Sequence, residues 1–113
     1  MEDRSLYIDM EGGMARVRNN KNLYIRMLGM FLKGTEYDDL LEQLANGVLD
    51  QAANTCHAIK GISGNLSLTQ LFHCSDELTE NLRKSIADEA EIENFKKVYL
   101  ATKAHVEALV AEG

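Results

Sequence analysis

Residues 56–66 read CHAIKGISGNL, and their spacing places a histidine on the bare side of a helix. Because a helix turns by about 100° per residue, one stripe collects four of these residues: His57, Lys60, Gly61 and Gly64. The opposite side carries the residues that a helix turns towards a core: Ala52, Thr55, Ile59, Ile62 and Leu66. We therefore expect the imidazole of His57 to face water, with a lysine one turn away and two glycines beside it.

The two glycines on this stripe, Gly61 and Gly64, are unusual inside a helix. Each glycine in a helix interior costs about 0.8–1 kcal/mol relative to alanine. Folding alone does not explain two such positions on an exposed stripe, and local defects of this kind tend to mark working surfaces. A histidine that another protein must touch accounts for the pattern.

The segments on either side of this helix predict further helices. Apolar residues recur at helical spacing in four other segments, with capping residues between them. The predicted helices cover residues 9–18, 20–33, 35–45, 50–65 and 67–82, and a last one begins at residue 88. Short loops between long amphipathic helices favour antiparallel neighbours. The predicted fold is therefore all-α: an up-and-down antiparallel four-helix bundle (residues 9–113) with an additional short N-terminal helix, after a tail over residues 1–8.

Particular residues are predicted to begin or end these helices. Gly34 stands where a C-terminal glycine ends a helix, and Thr35 can cap the next one. The run from Ser67 to Gln70 reads as a capping box, and the run from 88 to 91 (DEAE) can open the last helix in the same way.

Composition limits the class of protein. A chain of 113 residues is one domain by length, and the absence of proline favours helices throughout. No apolar run suggests a secretory signal or a membrane span. The formal net charge of −6 disfavours nucleic acid and anionic lipid as partners. We expect a cytoplasmic protein in which Cys56 and Cys74 are reduced thiols, with Cys56 a small, half-buried apolar residue.

The histidine stretch resembles the signature of histidine-containing phosphotransfer (HPt) domains, the relay modules of two-component signalling. That signature is His, any residue, an apolar residue, Lys, Gly, and a small residue three positions further on. Residues 57–64 fill every position. Residues 8–17 (IDMEGGMARV) and 20–24 (NKNLY) are similar to the usual opening of bacterial HPt domains. The resemblance therefore covers roughly residues 8 to 85, in two separate motifs.

This resemblance implies both the fold and a function. HPt domains are four-helix bundles with the histidine exposed midway along one helix. By this resemblance, His57 accepts a phosphoryl group from the aspartate of a receiver domain and passes it to another receiver. The partners would be response-regulator receiver domains, a hybrid histidine kinase, or both, and a monomer is the family's habit. The chain itself would need no cofactor, because Mg²⁺ would belong to the partner receiver domain.

The roles of the neighbouring residues follow from chemistry and from the resemblance together. The ammonium of Lys60 can reach phosphate oxygens, and Gly61 and Gly64 leave room for a docking receiver domain. HPt domains often place a polar residue on the next helix to orient the imidazole, and ungapped alignment gives Thr79 as the candidate. Chemotaxis-type domains tend to carry a carboxylate near the histidine; Ala58 supplies none in the sequence, and Glu80 is a candidate. These two departures favour a phosphorelay domain over a chemotaxis-type domain.

Plainer interpretations compete with this one. A helical adaptor or antagonist could bind a receiver domain without carrying phosphate. Zinc binding by the pairs 56–57 and 73–74 is disfavoured, because adjacent helical residues diverge by about 100°. His73 and His105 are predicted to be ordinary surface or boundary residues. The sequence has no Gly-rich phosphate loop and no P-loop lysine, which predicts a phosphoryl carrier without an ATP site of its own.

Overall fold

Six α-helices follow a single turn of 3-10 helix in the computed structural model, which describes residues 3–113. The 3-10 turn covers Arg4–Leu6, and the α-helices are α1 (Met10–Arg16), α2 (Lys21–Lys33), α3 (Glu36–Ala45), α4 (Leu49–Leu66), α5 (Thr69–Arg83) and α6 (Glu89–Glu112). The described part of the chain contains no strand. The predicted all-α fold is confirmed.

The bundle has four columns of helix: α4, α5 and α6 form one each, and α2 and α3, which lie end to end along the same side of α6, together form the fourth. Tyr99 in the middle of α6 contacts Phe31 of α2, with ring centroids 5.7 Å apart, and stacks on Tyr37 of α3 at 3.9 Å. At the start of α2, the hydroxyl of Tyr24 donates to the carbonyl of Leu66 at the end of α4, 2.7 Å away. The column formed by α2 and α3 is therefore antiparallel to α4, and α5 and α6 complete the four-helix bundle. The short α1 is the additional N-terminal helix.

Helix α4 packs mainly between α3 and α5. Its inward side buries Ala52, Cys56 and Ile59. At its C-terminus the chain turns within two residues into α5, and Ser67 adopts a left-handed conformation with φ 57° to make this turn. Because the turn is so short, α4 and α5 lie side by side along their length. One stripe of α4 is left uncovered by its neighbours.

Two of the predicted caps are wrong. Ser67 does not begin a capping box: Leu68 is the residue before α5, no side chain caps this helix, and the Ser67 hydroxyl accepts a hydrogen bond from Arg16. Thr35 does precede α3, but its hydroxyl donates to the carboxylate of Asp39 (3.1 Å) and caps no backbone N–H. In both cases the side chain has a partner other than the backbone of the first turn.

The predicted capping box at the start of the last helix is confirmed at Asp88 but not at Glu91, whose carboxylate accepts from the side-chain amide of Asn81 at 3.0 Å and not from the N–H of Asp88. The carboxylate of Asp88 accepts a hydrogen bond from the backbone N–H of Glu91 at 2.9 Å. Gly34 ends α2 as predicted, although with φ −68° it is extended and does not use the left-handed conformation that glycine favours. The glycine that uses it is Gly47, at φ 70°, between α3 and α4.

The segment before α1, predicted as a tail, packs on the bundle over residues 3–8. Tyr7 and Ile8 are buried, at 6% and 2% exposure. The backbone of this segment pairs with the α4–α5 turn: the carbonyl of Tyr7 accepts from the N–H of Thr69 at 3.1 Å. Residues 1 and 2 of the predicted tail lie outside the described residues. His105 is also not a surface residue, because it is 6% exposed and stacks on Tyr7, with ring centroids 5.0 Å apart.

Candidate functional site

His57 lies in the middle of α4 with its side chain exposed to solvent. The residue before it, Cys56, points about 100° away around the same helix and is completely buried. Within residues 3–113 the imidazole has no hydrogen-bond partner. The ring therefore stands clear of the bundle, with the orientation that the helical spacing predicts.

Gly61, one turn after His57, is a position with open space above it. A methyl group added at its Cα would have no atom within 4 Å, apart from the chain neighbours and the helix's own backbone. Packing inside this protein therefore gives no reason for a glycine here. The surface beside the imidazole is flat because Gly61 carries no side chain.

Gly64 differs from Gly61, although both lie on the predicted stripe. A Cβ at this position would come within 3.1 Å of two ring carbons of Phe72, which projects from α5. Gly64 is accordingly only half-exposed. The prediction that both glycines are bare is therefore wrong at Gly64, where a neighbouring aromatic ring covers the space. Its role in receiver docking stays a prediction.

Lys60 reaches across to α5 and is engaged by two residues there. Its Nζ lies 2.8 Å from Oδ1 of Asp76, and 5.8 Å from the centroid of the Phe72 ring. The side chains of the ion pair are 30% and 45% exposed for Lys60 and Asp76. Lysine over an aromatic ring and beside a carboxylate is held by both contacts. The cation predicted to support a phosphate is thus already paired.

Sequence reasoning missed both Asp76 and Phe72, although one signal for the ion pair was present. Lys60 and Asp76 stand at equal distances along the chain from Leu68, in the short turn between α4 and α5. In an antiparallel helical pair with so short a turn, such positions come level with each other. Charges of opposite sign at these positions predict a pair once the turn is located.

Thr79 lies in the core and not beside the exposed imidazole. It is 3% exposed, and its hydroxyl donates to the carbonyl of Ser75 at 2.7 Å. The thiol of Cys56 also points inward and donates to the same carbonyl at 3.4 Å. No hydrogen bond joins Thr79 to His57, so the structure does not bring the candidate orienting residue and the ring together. The side chain of Glu80 is exposed and likewise makes no hydrogen bond to the imidazole.

The burial of Cys56 exceeds the prediction of a half-buried residue. Its exposure is 0%, and burial raises the pKa of its thiol to about 11. Burial likewise raises the pKa of the Cys74 thiol to about 12. Both thiols therefore stay protonated to a higher pH than an exposed thiol does, which disfavours nucleophilic chemistry at either cysteine.

A shallow apolar groove borders the flat surface on the side away from α5. Its volume is about 280 Å³, and Met27 and Met30 of α2 and Ile62 and Asn65 of α4 contribute to its lining. Met30 is 68% exposed. Asn65 is one helical turn beyond Gly61, so the groove and the flat surface are continuous along α4. An approaching partner would meet the imidazole, the flat surface and exposed apolar groups together.

Over residues 3–113, no three side chains of His, Cys, Asp or Glu converge in a way that could hold a metal ion. His73, which was considered with Cys74 for zinc, is exposed. None of the described helices combines the length and the apolar character that crossing a membrane requires.

Comparison with known protein families gives one finding. A family model described as Hpt domain matches residues 26–112. The match contains all of α3, α4, α5 and α6 and α2 from residue 26 onward, and therefore the whole surface around His57. Neither the curated proteins nor the solved structures gave a match.

Proposed function

Since the chain belongs to the Hpt domain family, whose members are phosphotransfer modules of two-component signalling, we propose that His57 is the phosphoryl acceptor of a phosphorelay. It takes the group from an aspartyl phosphate of one receiver domain and passes it to the aspartate of another. The observation that carries this proposal is the exposed imidazole of His57 beside the open space at Gly61.

The transfer needs little from this chain beyond the ring itself. The unprotonated ring nitrogen attacks the phosphorus of the receiver's aspartyl phosphate. A nitrogen–phosphorus bond forms, the bond from phosphorus to the aspartyl oxygen breaks, and the carboxylate leaves with the electron pair. The proton on the other ring nitrogen stays in place, so the phosphorylated ring is cationic until it releases that proton to water. The reverse sequence of steps delivers the group to the next receiver.

Positioning and charge stabilisation are the main contributions to phosphoryl transfer. Mg²⁺ held by the receiver domain would neutralise charge on the transferred group from the partner's side. On this side, the flat surface at Gly61 allows in-line approach, and Lys60 supplies the nearest cation on the same stripe. The apolar groove beside Met30 offers a receiver domain surface to bury on docking.

A phosphorylated receiver with a radiolabelled phosphoryl group tests the proposal. Wild-type protein should become labelled with a phosphate that is labile in acid and stable in alkali, as expected for a nitrogen–phosphorus bond. His57→Gln should remove the label. His73→Gln is the matched control, because His73 is also an exposed histidine on a helix, and it should be labelled like the wild type. A His57→Gln variant that still takes up the label would end the proposal.

The competing function, a helical adaptor that binds a receiver domain without carrying phosphate, predicts a different outcome of the same experiment. The receiver would then bind the wild type and His57→Gln equally well, and neither protein would become labelled. The phosphorylated receiver would lose its phosphate only by its own hydrolysis.

A further inference from the structure

The ion pair between Lys60 and Asp76 connects the candidate site to the neighbouring helix. Nζ and Oδ1 are 2.8 Å apart, and the ammonium also lies over the ring of Phe72. The same ring fills the space beside Gly64, so Phe72 packs against the stripe of α4 that carries Lys60. Lys60 is therefore held towards α5.

A phosphoryl group on His57 would introduce a second anion for the same lysine. Lys60 follows His57 by three residues, and residues three apart on a helix are neighbours. Its ammonium can therefore reach a phosphoryl group on His57 from the same side of α4. A phosphoryl group carries about −1.5 to −2 charges near neutral pH, and the carboxylate of Asp76 carries one. The two anions would compete for one ammonium.

We propose that Asp76 is a positioning residue that acts through Lys60 and weakens the hold of His57 on its phosphoryl group. This inference rests on the proposed function and deepens it. Engaging the phosphate costs Lys60 part of its interaction with Asp76. Phosphorylated His57 is therefore less stable, and a better donor to the next receiver, than it would be beside a free lysine.

No bond to Lys60 or Asp76 forms or breaks in this account. The covalent step remains the exchange of the nitrogen–phosphorus bond at His57 for the phosphorus–oxygen bond at the receiver's aspartate. The ion pair changes only the relative free energies of the two phosphorylated proteins. Its measurable effect is a shift in the equilibrium constant for transfer, with both directions of the reaction still possible.

Asp76→Asn tests the inference, because the amide keeps the size of the side chain and removes its charge. We expect the transfer equilibrium to move about two- to fivefold towards phosphorylated His57, the range that a partly exposed ion pair supports. Asp76→Glu keeps the charge and should stay close to the wild type. Glu77→Gln is the matched control, since it removes one exposed negative charge from the next position of α5, and it should leave the equilibrium unchanged.

A second background separates an action through Lys60 from direct repulsion between Asp76 and the phosphate. In Lys60→Met, adding Asp76→Asn should produce no further shift. A shift that persists in Lys60→Met, no shift in Asp76→Asn, or a shift towards the receiver would each overturn the inference. These results leave the proposed function intact, because His57 is then still labelled. A wild type that takes no label would overturn the proposed function and this inference with it.

Discussion

At the scale of single residues, Gly61 and Gly64 show that one sequence pattern can hide two physical causes. Open space lies above Gly61, so the fold does not require a glycine there. At Gly64 the ring of Phe72 occupies the space that a side chain would take. Substituting alanine for each glycine therefore has different consequences, and only Gly61 reports on a partner that is not part of this chain.

Gly61→Ala should stabilise the fold and slow phosphoryl transfer. Alanine gains about 0.5–1 kcal/mol of helix stability in an exposed helix interior. Its methyl group would stand beside the imidazole and hold a docking receiver away, for which we expect a loss of about tenfold or more in transfer rate. Urea unfolding and the rate of label uptake measure the two effects.

The control for this prediction is Gly29→Ala in α2. Gly29 also has no atom within 4 Å of an added Cβ, so alanine should stabilise it to a similar extent. The transfer rate of Gly29→Ala should stay at the wild-type value. If Gly61→Ala transfers as fast as Gly29→Ala, the flat surface is not where the receiver docks.

Predictions about single residues succeeded where the residue's environment is set by its own helix, and failed where it is set by a neighbouring helix. Helical spacing within α4 was enough to predict that His57 faces solvent and Ile59 faces the core. The partners of Lys60 could not be read in the same way, because they lie on α5 and depend on how the two helices are aligned. Thr79 was chosen by alignment alone, and its hydroxyl has a nearer acceptor in its own helix.

At the scale of helices and turns, the α4–α5 connection explains why the predicted capping box failed. The chain reverses within two residues, and Ser67 supplies the left-handed conformation that this reversal requires. A residue in that conformation cannot also cap the following helix with its side chain in the usual extended geometry. The Asp88 cap was predictable because the longer connection before α6 leaves its backbone extended, with ψ 122°.

The packing of α1 on α2 gives a test at this scale. Gly13 is buried, and an added Cβ would lie 2.6 Å from ring atoms of Tyr24. The Tyr24 ring cannot retreat easily, because it is fully buried and its hydroxyl donates to the carbonyl of Leu66. Gly13→Ala should therefore destabilise the protein by about 1–3 kcal/mol, the usual cost of overpacking.

Thermal or urea unfolding of Gly13→Ala and Gly29→Ala checks this prediction with a matched pair. The same substitution should lower stability at Gly13 and raise it at Gly29. Equal effects at the two positions would show that α1 does not pack on Tyr24 as described.

At the scale of the whole molecule, the bundle was predictable because periodic apolar stripes and the absence of proline act along the entire chain. The N-terminal segment was not, because Tyr7 and Ile8 belong to a run of only three apolar residues, 6–8, which is too short to show a period. They become part of the core only because the α4–α5 turn offers backbone partners at Ser67 and Thr69. The burial of His105 follows from the same contact, through its stacking on Tyr7.

Buried acidic groups predict how stability depends on alkaline pH. Burial raises the pKa of Cys56 from 9.0 to about 11, and the pKa of Tyr24 from 10.0 to about 12. As the pH rises above about 9, the unfolded chain releases these protons while the folded protein keeps them. These two groups should leave the free energy of unfolding almost unchanged from about pH 7 to about pH 8.5 and lower it by about 2–4 kcal/mol as the pH approaches 11, and Cys74 should add to this decline.

Urea unfolding at a series of pH values measures this dependence. Cys74→Ala provides the comparison, because burial raises the pKa of Cys74 to about 12 and its removal should make the decline shallower. A free energy of unfolding that stays flat to pH 11 would contradict the burial of these groups.

The most direct test of the central claim locates the phosphoryl group on the chain. After incubation with a phosphorylated receiver domain and Mg²⁺, the protein can be cleaved under alkaline conditions and its peptides analysed by mass spectrometry. We predict one phosphorylated peptide, containing His57, whose phosphate returns to the receiver when unphosphorylated receiver is added in excess. Phosphate on another residue would contradict the account. So would a protein that binds the receiver domain and carries no phosphate.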